Sequence, residues 1–310
     1  MTKLPNKEFR QMVSLLREKN FYVAEQKKLI KWPAYNRTQI EDPLTTLMFI
    51  SEKVDESENV VLKGKAGKPL TNPKSLAKAV LASEAFGYTE RSAQGWMRIL
   101  CKYLGINEWL DDKTIGDAYD KFEVIYILNQ VFRKNKTNDG RLSGDGTGLE
   151  NSRKQNYEST KKAGNFLTSI IDSREIVQAF DASGIHESHA MHKLIDLVYG
   201  DDLRLDAGFN DRDLVKKIAE KGIIPFVFPK KNNILNGSPA WKNMYLDLFL
   251  DVMQWLTEYH IRSHCESFHS SFKSRFGIIT KRRGASKICQ ITARIIIHNH
   301  RRITYFENCD

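Results

Sequence analysis

At 310 residues, 41% of them hydrophobic, the chain has room for about two domains and a core that needs no disulfide or metal staple. A net charge of +10 points to a polyanionic partner, nucleic acid before membrane, and with no bilayer-length apolar run or signal peptide the expectation is a cytoplasmic protein without a membrane partner. Four scattered cysteines (Cys101, Cys265, Cys289, Cys309) fit a reducing compartment and exclude a disulfide frame or a paired-cysteine zinc site.

The first third reads as helical. Apolar residues three and four apart predict helices over 6–18 and 42–54. A polar loop rich in Lys, Gly and Pro follows at 63–73. Two short amphipathic segments then flank a Gly87-Tyr88 break, the second capped by Thr89. They outline a helix-turn-helix near 75–104, with Arg91, Gln94 and Arg98 on its second helix as candidate DNA contacts. An ordinary helical hairpin is the alternative. A further helix is expected over 113–134.

At Asn138-Asp139-Gly140 the pattern shifts to period two, predicting strands over 141–149, 166–172 and 176–181. A helix over 186–198, a strand over 202–206, a helix over 211–220 and a strand over 223–228 come next. After a loop at 232–239, a long helical region runs from Trp241 through Arg275. Three early strands suggest a meander, and the later alternation suggests parallel additions to the same sheet.

Tyr259, Arg262, Glu266 and Lys273 are spaced by three, four and seven, steps that return to one face of a helix. From Tyr259 to Thr304, Arg262, Lys273, Arg275, Lys281, Arg282, Arg283, Lys287, Arg294, Arg301 and Arg302 accompany a single acid, Glu266. A lone carboxylate there makes sense if phosphates come to the cations and a metal ion comes to the acid. Two strand ends each carry an aspartate with nearby glycine: Asp145-Gly146-Thr147-Gly148 and Asp206-Ala207-Gly208-Phe209. Asp145, Asp206 and Glu266 are hard oxygen donors of the kind Mg²⁺ or Mn²⁺ takes, leaving positions for water and substrate phosphate. Two such ions ~3.5–4 Å apart activate a nucleophile and stabilise the leaving oxygen of a phosphoryl displacement.

Each residue also has an ordinary reading. Asp-Gly is a common turn pair, Asp206 suits an N-cap, and Glu266 pairs with Arg262 at i,i+4. His186, His189 and His192 lie three apart, half a zinc site with nothing to complete it. His264 and Cys265 point about 100° apart on a helix and form no nucleophile–base pair. Trp241 and Trp255 read as core residues rather than base-stacking platforms.

The spacing Tyr259-x2-Arg262-x3-Glu266-x6-Lys273 resembles the helix signature of insertion-sequence transposases with an Asp-Asp-Glu core, in the "four" and "five" superfamily. The two aspartate segments are similar to that family's aspartate motifs. The resemblance spans 141–299 and implies an α/β, RNase H-like fold: a mixed five-stranded sheet flanked by helices, over 138–304. A helical region over 1–137 that binds the transposon end precedes it, and a tail at 305–310 follows. Asp145, Asp206 and Glu266 are then expected to hold Mg²⁺ or Mn²⁺, as two ions. Tyr259, Arg262 and Lys273 are expected to contact phosphates near the cut, joined by Arg275, Lys281, Arg282 and Arg283, with Arg91 and Arg98 on the N-terminal region. The implied chemistry is metal-activated water cutting a transposon end to free a 3′-OH, which then attacks target DNA. A homodimer on DNA is implied, with no small-molecule substrate. A nuclease that cuts without joining, and a domesticated DNA-binding relative, are the alternatives. Phe209 stands where a tyrosine is common, and 207–265 is too short for the β-rich insertion some relatives carry.

Overall fold

The computed structural model describes residues 5–18, 30–60, 71–151 and 165–309. Most of the polar loop expected at 63–73 lies outside the described residues. Helix α1 (Asn6–Glu18) has its expected bounds. Helix α2 (Trp32–Asp55) starts well before 42, with Pro33 in its first turn and Pro43 inside it. The interior proline reads as a breaker in sequence, which hides the first half of the helix. Helix α3 (Pro73–Phe86) is capped by Asn72, whose side chain accepts from the Lys74 amide. It ends at Gly87, left-handed at φ 70°, a conformation costly for other residues. Helix α4 (Glu90–Leu104) is capped by Thr89. The helix expected over 113–134 is two, α5 (Asp112–Ala118) and α6 (Phe122–Lys134). Amide bonds three residues back, Asp120 to Asp117 and Lys121 to Ala118, tighten the chain into a turn between them.

The strands are β1 (Arg141–Leu149), β2 (Asn165–Ile171) and β3 (Val177–Asp181). Helix α7 (Glu187–Leu194) precedes β4 (Asp202–Leu205), and α8 (Arg212–Glu220) precedes β5 (Ile224–Val227). The long helical region expected from Trp241 to Arg275 is three helices: α9 (Pro239–Leu250), α10 (Val252–His260) and α11 (Ser263–Phe276). Asp251 makes the first break by accepting from the Gln254 amide as an N-cap. The second falls at Ile261–Arg262, where the Arg262 amide bonds back to Tyr259 at 3.0 Å. Helix α12 (Gly284–Glu307) closes the chain and runs into the expected tail. Its β-branched Ile295-Ile296-Ile297 run disguises it in sequence, because such residues favour strands.

Two compact units form, each from separated stretches of chain. One comprises Met1–Leu29, Asn138–Thr147 and Phe166–Ser270; the other comprises Ile30–Thr137, Gly148–Asn165 and Ser271–Asp310. The first is organised by a sheet of order β3-β2-β1-β4-β5. Strands β1 and β4 are parallel, as are β4 and β5, while β2 and β3 are antiparallel. This is the mixed, RNase H-like sheet that the resemblance implies. Leu142, Ile170, Leu203, Leu205 and Val227 bury against Met191, Leu214, Ile218 and Tyr245 of the helices. Phe9 and Val13 of α1 complete the same core.

In the second unit α2, α3, α6 and α12 pack together. Helix α3 is buried from Ser75 to Glu84. Inside, Arg294 donates to Glu84 at 2.7 Å, and Glu84 also accepts from Tyr119 and Gln290. Among the described residues no helix is long and apolar enough to cross a membrane.

Candidate active site

Strand register brings the two aspartates together. The ladder of β1 with β4 ends with Gly144 opposite Leu205, so the next residue on each strand is Asp145 or Asp206. Adjacent strands lie ~4.8 Å apart, and side chains in step share a face. Asp145 also accepts from the Gly146 amide at 2.8 Å. Burial pushes the Asp145 carboxyl up; the Gly146 amide and Arg262 oppose this, and the charges of Asp206 and Glu187 add to it.

Helix α10 is fastened over these strand ends. The Tyr259 hydroxyl donates to the Leu205 carbonyl at 3.2 Å, one residue before Asp206. The Tyr259 ring stacks on Trp255, with centroids 5.0 Å apart. Ser143 of β1 donates to the Ile261 carbonyl at 3.4 Å. Buried Arg204 of β4 bonds the Glu258 carbonyl and pairs with Asp202 and Glu258. Burial drives the Tyr259 phenol far up, Arg262 opposing it and Asp206, Asp145 and Glu266 adding to it, so Tyr259 is a neutral hydroxyl donor.

The single helical stripe expected for Tyr259, Arg262 and Glu266 is corrected by the break at Ile261–Arg262. Tyr259 lies in the last turn of one helix, Arg262 in the turn between, and Glu266 in the first turn of the next. The turn aims the Arg262 guanidinium at two carboxylates, 2.5 Å from Glu266 and 3.8 Å from Asp145. Burial works against the Arg262 charge, but Tyr259, Glu266 and Asp206 outweigh it and raise its pKa. Neighbouring Cys265 is fully buried, and burial raises its thiol well above the ordinary range, which makes it an inert core residue.

One acid escaped the sequence reading. Glu187 opens α7, and its carboxylate fills the space beside Gly146, where an added Cβ would meet Oε2 at 2.6 Å. The three nearby histidines drew attention instead. Two of them serve structural ends: His186 caps α7 through the Ser188 amide, and His192 bonds Asp211 at 2.9 Å.

The donor set suits a hard divalent cation. Asp145 and Asp206 offer carboxylate oxygens from neighbouring strands, and a cation would relieve the repulsion that Asp145 feels. Among the described residues no three His, Cys, Asp or Glu side chains form a ready-made metal cluster. Mg²⁺ seldom needs one, because it usually takes one or two carboxylates together with substrate phosphate and water.

The other candidate contacts belong to the second unit. There Arg275 pairs with Asp42, Lys281 with Glu90 and Arg283 with Asp120. Lys281 also lies 3.6 Å from the centroid of the Tyr119 ring. Lys273 and Arg282 are exposed. On α4, Arg91 stands in solvent near Asp112, Gln94 accepts from the Asp112 amide, and Arg98 covers Trp109. The exposed surface of α4 also carries the large apolar side chains Trp96, Ile99 and Tyr103. Trp241 and Trp255 are core residues, as expected.

The family model for the transposase DDE domain matches residues 126–299, more than half of the chain. No curated protein and no solved structure matches the chain.

Proposed function

Because the chain belongs to the transposase DDE-domain family, we propose that it cuts DNA at transposon ends and joins the freed end to target DNA, with Asp145, Asp206 and Glu266 as its metal-holding acids. Family membership carries transposase-type DNA cleavage in general. The observation that supports it best is the parallel register of β1 and β4, which sets Asp145 beside Asp206 under Tyr259 and Arg262.

In this reading Asp145 and Asp206 hold divalent metal from the strand ends. Glu266 joins them once Arg262 releases it. A bound Mg²⁺ or Mn²⁺ supplies Lewis-acid activation of the attacking oxygen and stabilises the leaving one. Arg262 and Lys273 contact phosphates, and the Tyr259 hydroxyl keeps the Asp206 strand end in place. Water attacks phosphorus, and the bond to the 3′ oxygen breaks and leaves a 3′-OH. That hydroxyl then attacks a target phosphodiester, displacing the target's own 3′ oxygen. The helical unit, with Arg91 and Arg98 on α4, is proposed to grip the transposon end, and a homodimer is proposed to hold two ends.

The test uses duplexes carrying the DNA that flanks the reading frame, with Mg²⁺ and a target plasmid. Asp145→Asn, Asp206→Asn and Glu266→Gln are each expected to abolish cleavage and joining while DNA binding persists. Cleavage surviving in a variant removes that residue from the site. Cleavage without joined product, under conditions where both ends are present, selects the nuclease reading. Binding is expected to weaken steeply with salt, as counterion release requires.

A further inference from the structure

Helix α4 buries one side, through Ala93, Met97, Leu100 and Leu104, and turns two parallel stripes to solvent. Ser92, Trp96, Ile99 and Tyr103 are spaced four, three and four, and so are Arg91, Gly95, Arg98 and Lys102; each set keeps its own line along the helix. The first carries large apolar side chains, with Trp96 44%, Ile99 55% and Tyr103 52% exposed. The second is basic. The one acid of α4, Glu90, is taken by Lys281 at 2.6 Å, and Asp112 stands 4.0 Å from Arg91. Rings and cations are interleaved. Tyr88 stacks on Trp96 with centroids 5.3 Å apart and planes 6° from parallel. Arg98 lies over Trp109 at 4.8 Å, and Lys102 over Tyr103 at 4.7 Å. Helix α3 is buried from Ser75 to Glu84, so α4 is the one of that pair with a face for a partner.

Gly95 adds an independent sign. Glycine is the poorest helix former after proline, yet one sits near the middle of α4 on its exposed side. A Cβ there would meet no atom within 4 Å, so the packing of the described residues does not call for glycine. A partner whose backbone comes close to the helix does. The charge says which kind: two copies of this face would set cation against cation, whereas a polyanion neutralises all three. A duplex hides the flat faces of its bases in the stack, and a single strand presents them. Gln94, whose amide could read base edges in a duplex, instead accepts from the Asp112 amide at 3.0 Å. We propose that this face of α4 holds an unpaired DNA strand. Its phosphates lie along Arg91, Arg98 and Lys102, its backbone passes close over Gly95, and its bases stack on Trp96 and Tyr103. This rests on the reading that the helical unit grips DNA, and it names the form of DNA taken there.

Fluorescence anisotropy tests this, with the full chain titrated into a labelled oligothymidylate and into a labelled duplex carrying the flanking DNA. The wild type is expected to bind both, and the oligothymidylate to quench tryptophan emission. Trp96→Ala combined with Tyr103→Ala is expected to weaken oligothymidylate binding at least about tenfold and duplex binding by less than about twofold. Gly95→Leu is expected to weaken oligothymidylate binding by a similar factor while raising the melting temperature, because leucine forms helix better than glycine. That variant keeps the test open if the aromatic double variant does not fold. Unchanged oligothymidylate binding in both variants overturns the proposal, as does a wild type that binds duplex and no oligothymidylate; both leave the duplex reading standing. Equal losses on the two probes assign the face to duplex and overturn it too. Loss of a dimer in sedimentation by the aromatic variant, with oligothymidylate binding intact, gives the face to a second copy of the chain and overturns it as well. A wild type that binds neither probe removes the reading of the helical unit and this proposal with it.

Discussion

Arg262 donates from Nη2 to Oε1 of Glu266 at 2.5 Å, and its Nη1 stands 3.8 Å from Asp145. One guanidinium thus faces two of the three proposed metal-holding acids. The Glu266 side chain is 61% exposed, so the pair is weak, worth a few tenths of a kcal/mol. A pair that weak yields readily to a phosphate and a metal ion, which together offer the guanidinium and the carboxylate stronger partners.

The Arg262→Ala variant is therefore expected to show opposite effects on two readouts. Cleavage of flanking-DNA duplex should fall by about 100-fold, the usual cost of losing one donor to developing charge. Mn²⁺ binding without DNA should be equal to or tighter than wild type, because a competing cation is gone. Arg262→Lys should recover little cleavage, since a point charge cannot span two partners as the planar fork does. Single-turnover cleavage and Mn²⁺ titration measure the two effects; weaker Mn²⁺ binding by Arg262→Ala would contradict the competition.

Asp145 gives a stability prediction for the metal-free protein. Burial raises its folded-state pKa above the unfolded one. The stabilisation it contributes is then full below the unfolded pKa and lost as pH rises through the folded one. Asp145→Asn removes that loss, so the metal-free variant should melt higher than wild type at neutral pH, with the gap closing in acid. Adding Mn²⁺ should raise the melting temperature of the wild type more than that of the variant. Calorimetry at several pH values, with and without Mn²⁺, reads both effects.

The strand ends that carry Asp145 and Asp206 were legible because a period-two run closing on an acid with glycine nearby is a local pattern. The break at Arg262 was not legible. It follows from Ser143 and Arg204 of the strands holding the Ile261 and Glu258 carbonyls, which are tertiary contacts. Asp251 is a cap in the fold, yet in sequence it is one more polar residue on a helix face. Glu187 was hidden for a related reason: its place beside Gly146 depends on a strand far off in sequence. Helix α12 was hidden by its isoleucines, whose strand preference yields to burial among α2, α3 and α6.

Glu84 anchors the helical unit. It is nearly buried and accepts from Arg294, Tyr119 and Gln290. Removing one partner of such a pair leaves a charge uncompensated, so Glu84→Ala should destabilise by about 3–5 kcal/mol. The double variant Glu84→Leu with Arg294→Leu should recover part of that loss, because no charge is then stranded. Urea unfolding of the single and double variants decides it; equal stability of Glu84→Ala and wild type would remove Glu84 from this role.

His300 sets an acid limit for the same unit. Its ring stacks on Phe49 with centroids 4.2 Å apart, and its Nε2 is buried without a hydrogen-bond partner among the described residues. Burial, eased by Asp42 and reinforced by Arg301, lowers its pKa from 6.5 to about 4. In the unfolded chain the ring takes up a proton near pH 6.5, while the folded chain resists until about pH 4. Stability is therefore whole above the unfolded value and drains as pH falls through that window, by a total on the order of 3 kcal/mol. Replacing the ring with one that cannot titrate, as in His300→Phe, should flatten this part of the profile while leaving carboxylate-driven unfolding at lower pH. Melting temperatures taken at half-unit steps from pH 7 to pH 4 measure the slope. An unchanged slope in the variant would assign the acid sensitivity to other groups.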